Sequence, residues 1–124
     1  MTIKRLHFVI DKTKISNKKI LSKHKSFSPN QCDVIVVIGG DGFMLETLKK
    51  YKKYKKPFYG INKGTFGFLM NKYKDNDILK SILKSKPISI SPLEMKAVTK
   101  KNKILSAIAI NEVFLFRQSR QTAN

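Results

Sequence analysis

Apolar residues fall in short runs separated by lysine-rich stretches, and the period within each run changes along the chain. "RLHFVID" (5–11) has strand character, and "KISNKKILSKHKSF" (14–27) predicts a short basic helix. "CDVIVVI" (32–38) carries apolar residues at consecutive positions, as a parallel strand buried on both faces does. In "FMLETLKKYKKYKK" (43–56), Met44, Leu45, Leu48 and Tyr51 recur at helical spacing, and Pro57 ends the pattern. "PFYGIN" (57–62) predicts a third strand leading into a second glycine loop, "KGTFGFLMN". "KDNDILKSILKSKP" (74–87) has Asp and Asn in capping positions, sets Ile78, Leu79, Ile82 and Leu83 on one side, and meets a stop at Pro87. The order β-α-β-α-β-loop-α is that of a doubly wound α/β layer.

Beyond this point apolar and polar residues alternate. Strands near 93–99 and 104–117, joined by the turn-like "KKNK" (100–103), predict an antiparallel pair. A hairpin with one buried face is not a domain by itself. The expected division is therefore an α/β domain over 1–92 and the start of a β-rich domain over 93–124, truncated inside that second unit.

Composition changes this picture little. The 124 residues are 41% hydrophobic and 27% charged, as in a globular chain with a single modest core. No apolar run is long enough for a membrane span and no signal peptide is read, so the expected compartment is the cytoplasm. Cys32 is the single cysteine and reads as a half-buried small residue rather than a reactive thiol. His7 and His24 lack the ligand spacing of a metal site. The net charge of +18 invites a nucleic-acid reading, yet the only arginines are Arg5, Arg117 and Arg120, and the lysines are spread over every segment. Base readout and phosphate forks favour arginine, so no specific nucleic-acid partner is expected.

The candidate chemistry sits at "VIVVIGGDGFMLETL" (34–48). A strand running through Gly39, Gly40, Asp41 and Gly42 into a helix turns backbone N–H groups toward the positive end of a helix dipole, which suits a phosphate. The Gly-Lys-Ser/Thr ending of a Walker loop is absent. A dinucleotide fingerprint counted from Gly40 and Gly42 needs glycine where Leu45 stands. Two readings of Asp41 stay open: an N-capping aspartate in a structural turn, or a carboxylate that faces a hydroxyl. Phosphoryl transfer to an alcohol needs an acceptor for the alcohol proton, and the second reading supplies one, with Mg²⁺ and N–H groups taking the polyphosphate.

"GGDGFML" resembles the GGDG motif of NAD kinases, diacylglycerol and sphingosine kinases, and phosphofructokinases. "GINKGTFGFL" (60–69) is similar to the NAD kinase segment Gly-(Ile/Val)-Asn-x-Gly-x-x-Gly-Phe-Leu, and the Pro-x-Gly-Thr-x-Asn pattern of the lipid kinases is missing. "AINEVFLFR" (109–117) is similar to the Ala-Leu-Asn-Glu-Val strand of NAD kinases. The resemblance implies a Rossmann-like doubly wound N-terminal domain followed by the first strands of an incomplete all-β domain. It implies transfer of the terminal phosphate of ATP, or of polyphosphate, to the 2′-hydroxyl of the adenosine ribose of NAD, giving NADP, in a homo-oligomer when complete. Asp41 then corresponds to the proton acceptor. Asp41, Gly42, Phe68, Leu69, Asn111 and Glu112 correspond to the NAD contacts, and Gly39, Gly40 and Gly42 to the phosphate-facing turn. Mg²⁺ is implied on the phosphates, with no direct protein ligand. Phe68 as plain core, Glu112 as an exposed strand carboxylate, and Arg117 and Arg120 as solvated charges remain alternatives to site roles. Two departures stand out: Phe43 occupies a position that is usually Thr, and the later Thr-Pro-x-Gly-Ser motif is not present. The rival expectations are a catalytically inactive nucleotide-binding remnant and a lipid kinase of the same superfamily.

Overall fold

The computed structural model describes residues 2–62, 69–73, 77–90 and 113–118. Its centre is β2 (Val34–Ile38), all five residues of which are buried. Parallel neighbours flank it: β1 (Leu6–Ile10) pairs in register from Leu6↔Val34 to Ile10↔Ile38, and β3 (Phe58–Asn62) from Ile35↔Phe58 to Ile38↔Ile61. The far side of β3 is shared by two strands. β6 (Val113–Arg117) lies parallel to it at Phe58↔Leu115, and the two-residue β4 (Asn71–Lys72) pairs with its end at Ile61↔Asn71. An antiparallel strand, β5 (Lys86–Ile90), comes last in the order β1-β2-β3-β6-β5 among the described residues.

Alternation along the strands sorts the core into two layers. Ile35 and Val37 join Met44, Leu45 and Leu48 of α2 (Asp41–Tyr51). Val34, Val36 and Ile38 join Ile20 of α1 (Ile15–Ser22) and Ile78 and Ile82 of α3 (Ile78–Lys84). Helices therefore cover both faces, and the chain is a doubly wound, mainly parallel α/β layer, as the apolar β2 run leads one to expect. Cys32 is fully buried rather than half-buried, its Sγ 3.3 Å from the Pro29 carbonyl, and burial pushes the thiol pKa up. That is the environment of a structural cysteine.

The structure departs from the sequence reading in two places. Asp77 caps α3 by accepting the Leu79 N–H at 3.0 Å, but the helix ends at Lys84 and Pro87 lies inside β5. Among the described residues β5 pairs on one side only, with β6, and a residue without an N–H is tolerated in a strand where the ladder does not use that N–H. β5 pairs with β6, so strands of one sheet stand on both sides of the expected 92/93 boundary. The expected strand at 93–99 and most of that at 104–117 lie outside the described residues.

The second departure concerns α2, which gives way at Tyr51, well before Pro57, to a 3-10 turn over Lys52–Tyr54. Lys55 then closes it in the left-handed region at φ 55° and ψ 40°. A left-handed L-residue costs about 1 kcal/mol; glycine removes that cost but gives back part of the gain because it loses more entropy on folding. Lys55→Gly is accordingly expected to raise stability by about 0.5 kcal/mol. A shift of the urea midpoint to higher concentration at unchanged slope reads this out; a shift to lower concentration contradicts it.

At the amino end of β2, Asp33 gathers the entry to β1. Its Oδ2 accepts the backbone N–H groups of Lys4 and Arg5 at 2.9 Å each, and Arg5 Nη2 stands 3.9 Å from Oδ1. The Arg5 and Lys4 backbone donors hold this carboxyl below the usual aspartate range. A depressed folded pKa adds stability that is complete above the unfolded value of about 3.9 and is lost as pH falls through the folded value. Asp33→Asn is expected to cost about 1 kcal/mol at pH 7, discounted for partial exposure, and to flatten the fall in stability below about pH 4. Unfolding curves at pH 7 and pH 3 test both halves, and equal acid sensitivity of the two proteins is the contrary result.

Candidate functional site

The carboxyl ends of parallel strands are where doubly wound sheets meet their ligands, because the chain leaves each strand there to begin a helix. Here the chain leaves β2 through Gly39 and Gly40 and enters α2 at Asp41. Backbone bonds to both neighbouring strands hold this exit. The Asp11 N–H donates to the Ile38 carbonyl at 2.8 Å, and the Gly39 N–H donates to the Ile61 carbonyl at 3.0 Å. The first helical bond runs from the Met44 N–H to the Gly40 carbonyl at 2.9 Å.

The two leading glycines differ in what they need. Neither has positive φ; among the described residues no glycine does. Gly39 is required by packing, since a Cβ there would stand 2.7 Å from Phe43 Cδ2 and 3.1 Å from Phe43 Cβ. Gly40, the N-cap at φ −99° and ψ −175°, has nothing within 4 Å of such an atom. Its missing side chain faces open space. A glycine N-cap also has no side chain to accept the first N–H groups of α2, which keeps the dipole end suited to an anion.

Asp41 is the first residue of α2 and not its N-cap, which excludes the capping role considered from the sequence. Its side chain reaches across to the end of the second glycine loop, where Oδ1 accepts the Leu69 N–H at 2.9 Å. The carboxyl is buried at 9% exposure beside a buried Leu69. A buried carboxylate on the rim of a glycine turn, oriented by a backbone donor, can accept a proton from a bound hydroxyl. Gly42 follows in the first turn of α2 and is half-buried.

The structure thus brings Gly39, Gly40, Asp41, Gly42 and Leu69 together, although Asp41 and Leu69 belong to separate segments. Phe68, Asn111 and Glu112 lie outside the described residues. Arg117 is half-buried at the end of β6, and Arg120 lies outside the described residues. Among the described residues no three His, Cys, Asp or Glu side chains gather to hold a metal ion, and no helix is long and apolar enough to cross a membrane.

One residue of this region carries no signal in the sequence reading. Asn71 is buried and makes three side-chain hydrogen bonds to backbone: Nδ2 donates to the carbonyls of Gly60 and Phe116 at 3.0 Å each, and Oδ1 accepts the Gln118 N–H at 2.8 Å. The available hint is an amide directly after the apolar "FLM", a polar residue where the pattern is still that of a core.

The family model described as the ATP-NAD kinase N-terminal domain matches residues 3–85. A protein of Mesorhizobium japonicum named NAD kinase is 43% identical over 110 residues, covering 89% of this chain and 43% of the relative. NAD kinases of Brucella suis biovar 1 and Caulobacter vibrioides are each 41% identical, over 121 and 108 residues. Those matches cover 95% and 87% of this chain but 47% and 42% of the relatives, so the chain spans less than half of each.

Proposed function

The chain belongs to the NAD kinase family, and from that premise we propose that the protein carrying it transfers the terminal phosphate of ATP, or of polyphosphate, to the 2′-hydroxyl of the adenosine ribose of NAD. The observation that carries this reading is the Asp41 carboxylate, buried at the glycine turn and oriented by the Leu69 N–H at 2.9 Å. In this reading the ribose hydroxyl lies against Asp41, which takes its proton as the oxygen attacks the terminal phosphorus and the bond from that phosphorus to the bridging oxygen breaks, releasing ADP or the shortened polyphosphate. The backbone of Gly39, Gly40 and Gly42 and the amino end of α2 receive phosphate charge, and the open space at Gly40 is where a phosphate group reaches the main chain.

The described residues offer no protein cage for a divalent ion. Mg²⁺ is assigned to the phosphates of the donor, where it would neutralise part of their charge. Phe68 and Leu69 are assigned to the wall of the NAD pocket, and Asn111 and Glu112 to polar contacts with the nucleotide. Assembly as a homo-oligomer and a cytoplasmic setting belong to the same proposal.

Competition between acceptors tests it. Offered NAD, diacylglycerol and sphingosine together with labelled ATP and Mg²⁺, the native-length protein is expected to place the label on NAD. Label on a lipid, with NAD ignored, sinks the reading in favour of a lipid kinase.

A further inference from the structure

The segment that presents the Leu69 N–H to Asp41 has little secondary structure of its own. It runs from Leu69 into β4, which is two residues long and pairs only at Ile61↔Asn71 and Asn62↔Lys72. So short a ladder orients a backbone donor less firmly than a long one, and the buried Leu69 and Met70 side chains add apolar packing, which is non-directional. Asn71 does more. Its buried amide spans three backbone partners on two strands and the residue after β6: the Gly60 carbonyl of β3, the Phe116 carbonyl of β6, and the Gln118 N–H. Both neighbours of Nδ2 are carbonyls and the neighbour of Oδ1 is an N–H, so the network admits one orientation of the amide. The Gln118 side chain extends the clamp, donating from Nε2 to the Tyr59 hydroxyl at 3.0 Å and to the Lys72 carbonyl at 3.2 Å.

We propose that Asn71 is a positioning residue for the Asp41 carboxylate: its amide locks the Leu69–Lys72 segment to β3 and β6, and so holds the Leu69 N–H at Asp41 Oδ1. The inference rests on the reading of Asp41 as proton acceptor. Its physical basis is that Asp41 stands on α2, whose amino end β2 and β3 fix through the Gly39–Ile61 bond, while Leu69 stands on a separate segment. The buried Leu69 and Met70 side chains pack that segment without setting its direction, and the Asn71 amide ties it by side-chain hydrogen bonds to both β3 and β6. If that tie is released, the two halves of the Asp41–Leu69 bond are no longer set by one rigid frame. A misplacement of about 1 Å at a reacting group is enough to cost on the order of 10²-fold in rate. Nucleotide affinity, spread over the glycine turn and the rest of the pocket, changes much less.

Steady-state kinetics and amide exchange on Asn71→Ala in the native-length protein test this together. The expected result is a kcat lowered about 10- to 100-fold, with KM for NAD and for ATP each within about twofold. Exchange at the Leu69 amide is expected to accelerate while the Gly39 amide, bonded to Ile61, keeps its protection. Asp33→Asn, which loosens the opposite end of the sheet, is expected to keep kcat and so separates positioning from loss of stability. If Asn71→Ala does not accumulate in folded form, Asn71→Ser keeps one short donor and acceptor. It carries the same pattern at about threefold or more in kcat. Unchanged kcat in a folded variant, equal rises in both KM values at constant kcat, or unchanged Leu69 exchange overturns the proposal. A wild-type protein that forms no NADP overturns the reading of Asp41 instead, and Leu69 exchange then still decides whether Asn71 holds that amide.

Discussion

Asp41→Asn is expected to lower the rate of NADP formation by about 10²- to 10⁴-fold while leaving the fold in place. The two halves of this expectation have separate causes. An asparagine carbonyl has the shape and the lone pairs to keep accepting the Leu69 N–H that Oδ1 now accepts at 2.9 Å, so the contact between the two glycine segments survives. What the amide lacks is a basic oxygen. It takes no proton from a hydroxyl, and the contribution of general-base catalysis is lost in full. The loss is expected in kcat, with KM for NAD changing little, because the missing interaction develops only as the proton moves. Turnover under saturating NAD and ATP, alongside thermal unfolding, checks both halves. A rate within a fewfold of wild type removes Asp41 from the chemistry and leaves it as a tether for Leu69.

Alanine at the two leading glycines is expected to produce opposite outcomes. At Gly40 the added methyl meets no protein atom within 4 Å, and φ of −99° is ordinary for any L-residue. The fold loses only the small penalty of alanine at an N-cap, about 0.5 kcal/mol. If phosphate approaches the backbone there, that methyl occupies its space, and ATP affinity falls at least tenfold, equivalent to about 1.4 kcal/mol. At Gly39 the methyl lands 2.7 Å from the Phe43 ring and 3.1 Å from Phe43 Cβ, which the helix fixes in place. Overpacking of that kind costs about 1–3 kcal/mol, so Gly39→Ala shows itself in unfolding. Calorimetric titration of ATP with melting curves on both variants separates these effects. Gly40→Ala with wild-type affinity would make the turn a structural feature and nothing more.

How far the sequence discloses these features depends on the range of the interactions involved. β2 is legible because burial on both faces writes itself as five consecutive apolar residues. The turn after it is legible because glycines and an aspartate at a strand-to-helix junction have few other uses. The end of α2 is not legible. Lys52 to Lys55 are ordinary helix formers or tolerant of helix, and no glycine marks the left-handed residue that Lys55 supplies. β5 is hidden by Pro87, which reads as a stop unless its pairing with β6 is known. In the site, the Asp41–Leu69 bond joins residues 28 apart through a backbone N–H, a donor that every residue except proline offers. Asn71 is hidden for the same reason: its partners are main-chain groups at Gly60, Phe116 and Gln118, and main-chain groups leave no trace in residue identity. Sequence thus points to the residues that carry charge or permit a turn, while the framework that orients them belongs to the fold.

Product analysis decides whether the 2′-hydroxyl of NAD is the acceptor. The native-length protein, incubated with NAD, ATP and Mg²⁺, is expected to yield a single product heavier than NAD by one phosphate, with phosphorus NMR placing that phosphate on the 2′-oxygen of the adenosine ribose. Recovery of unmodified NAD from folded protein, or a phosphate at any other position, would contradict the account.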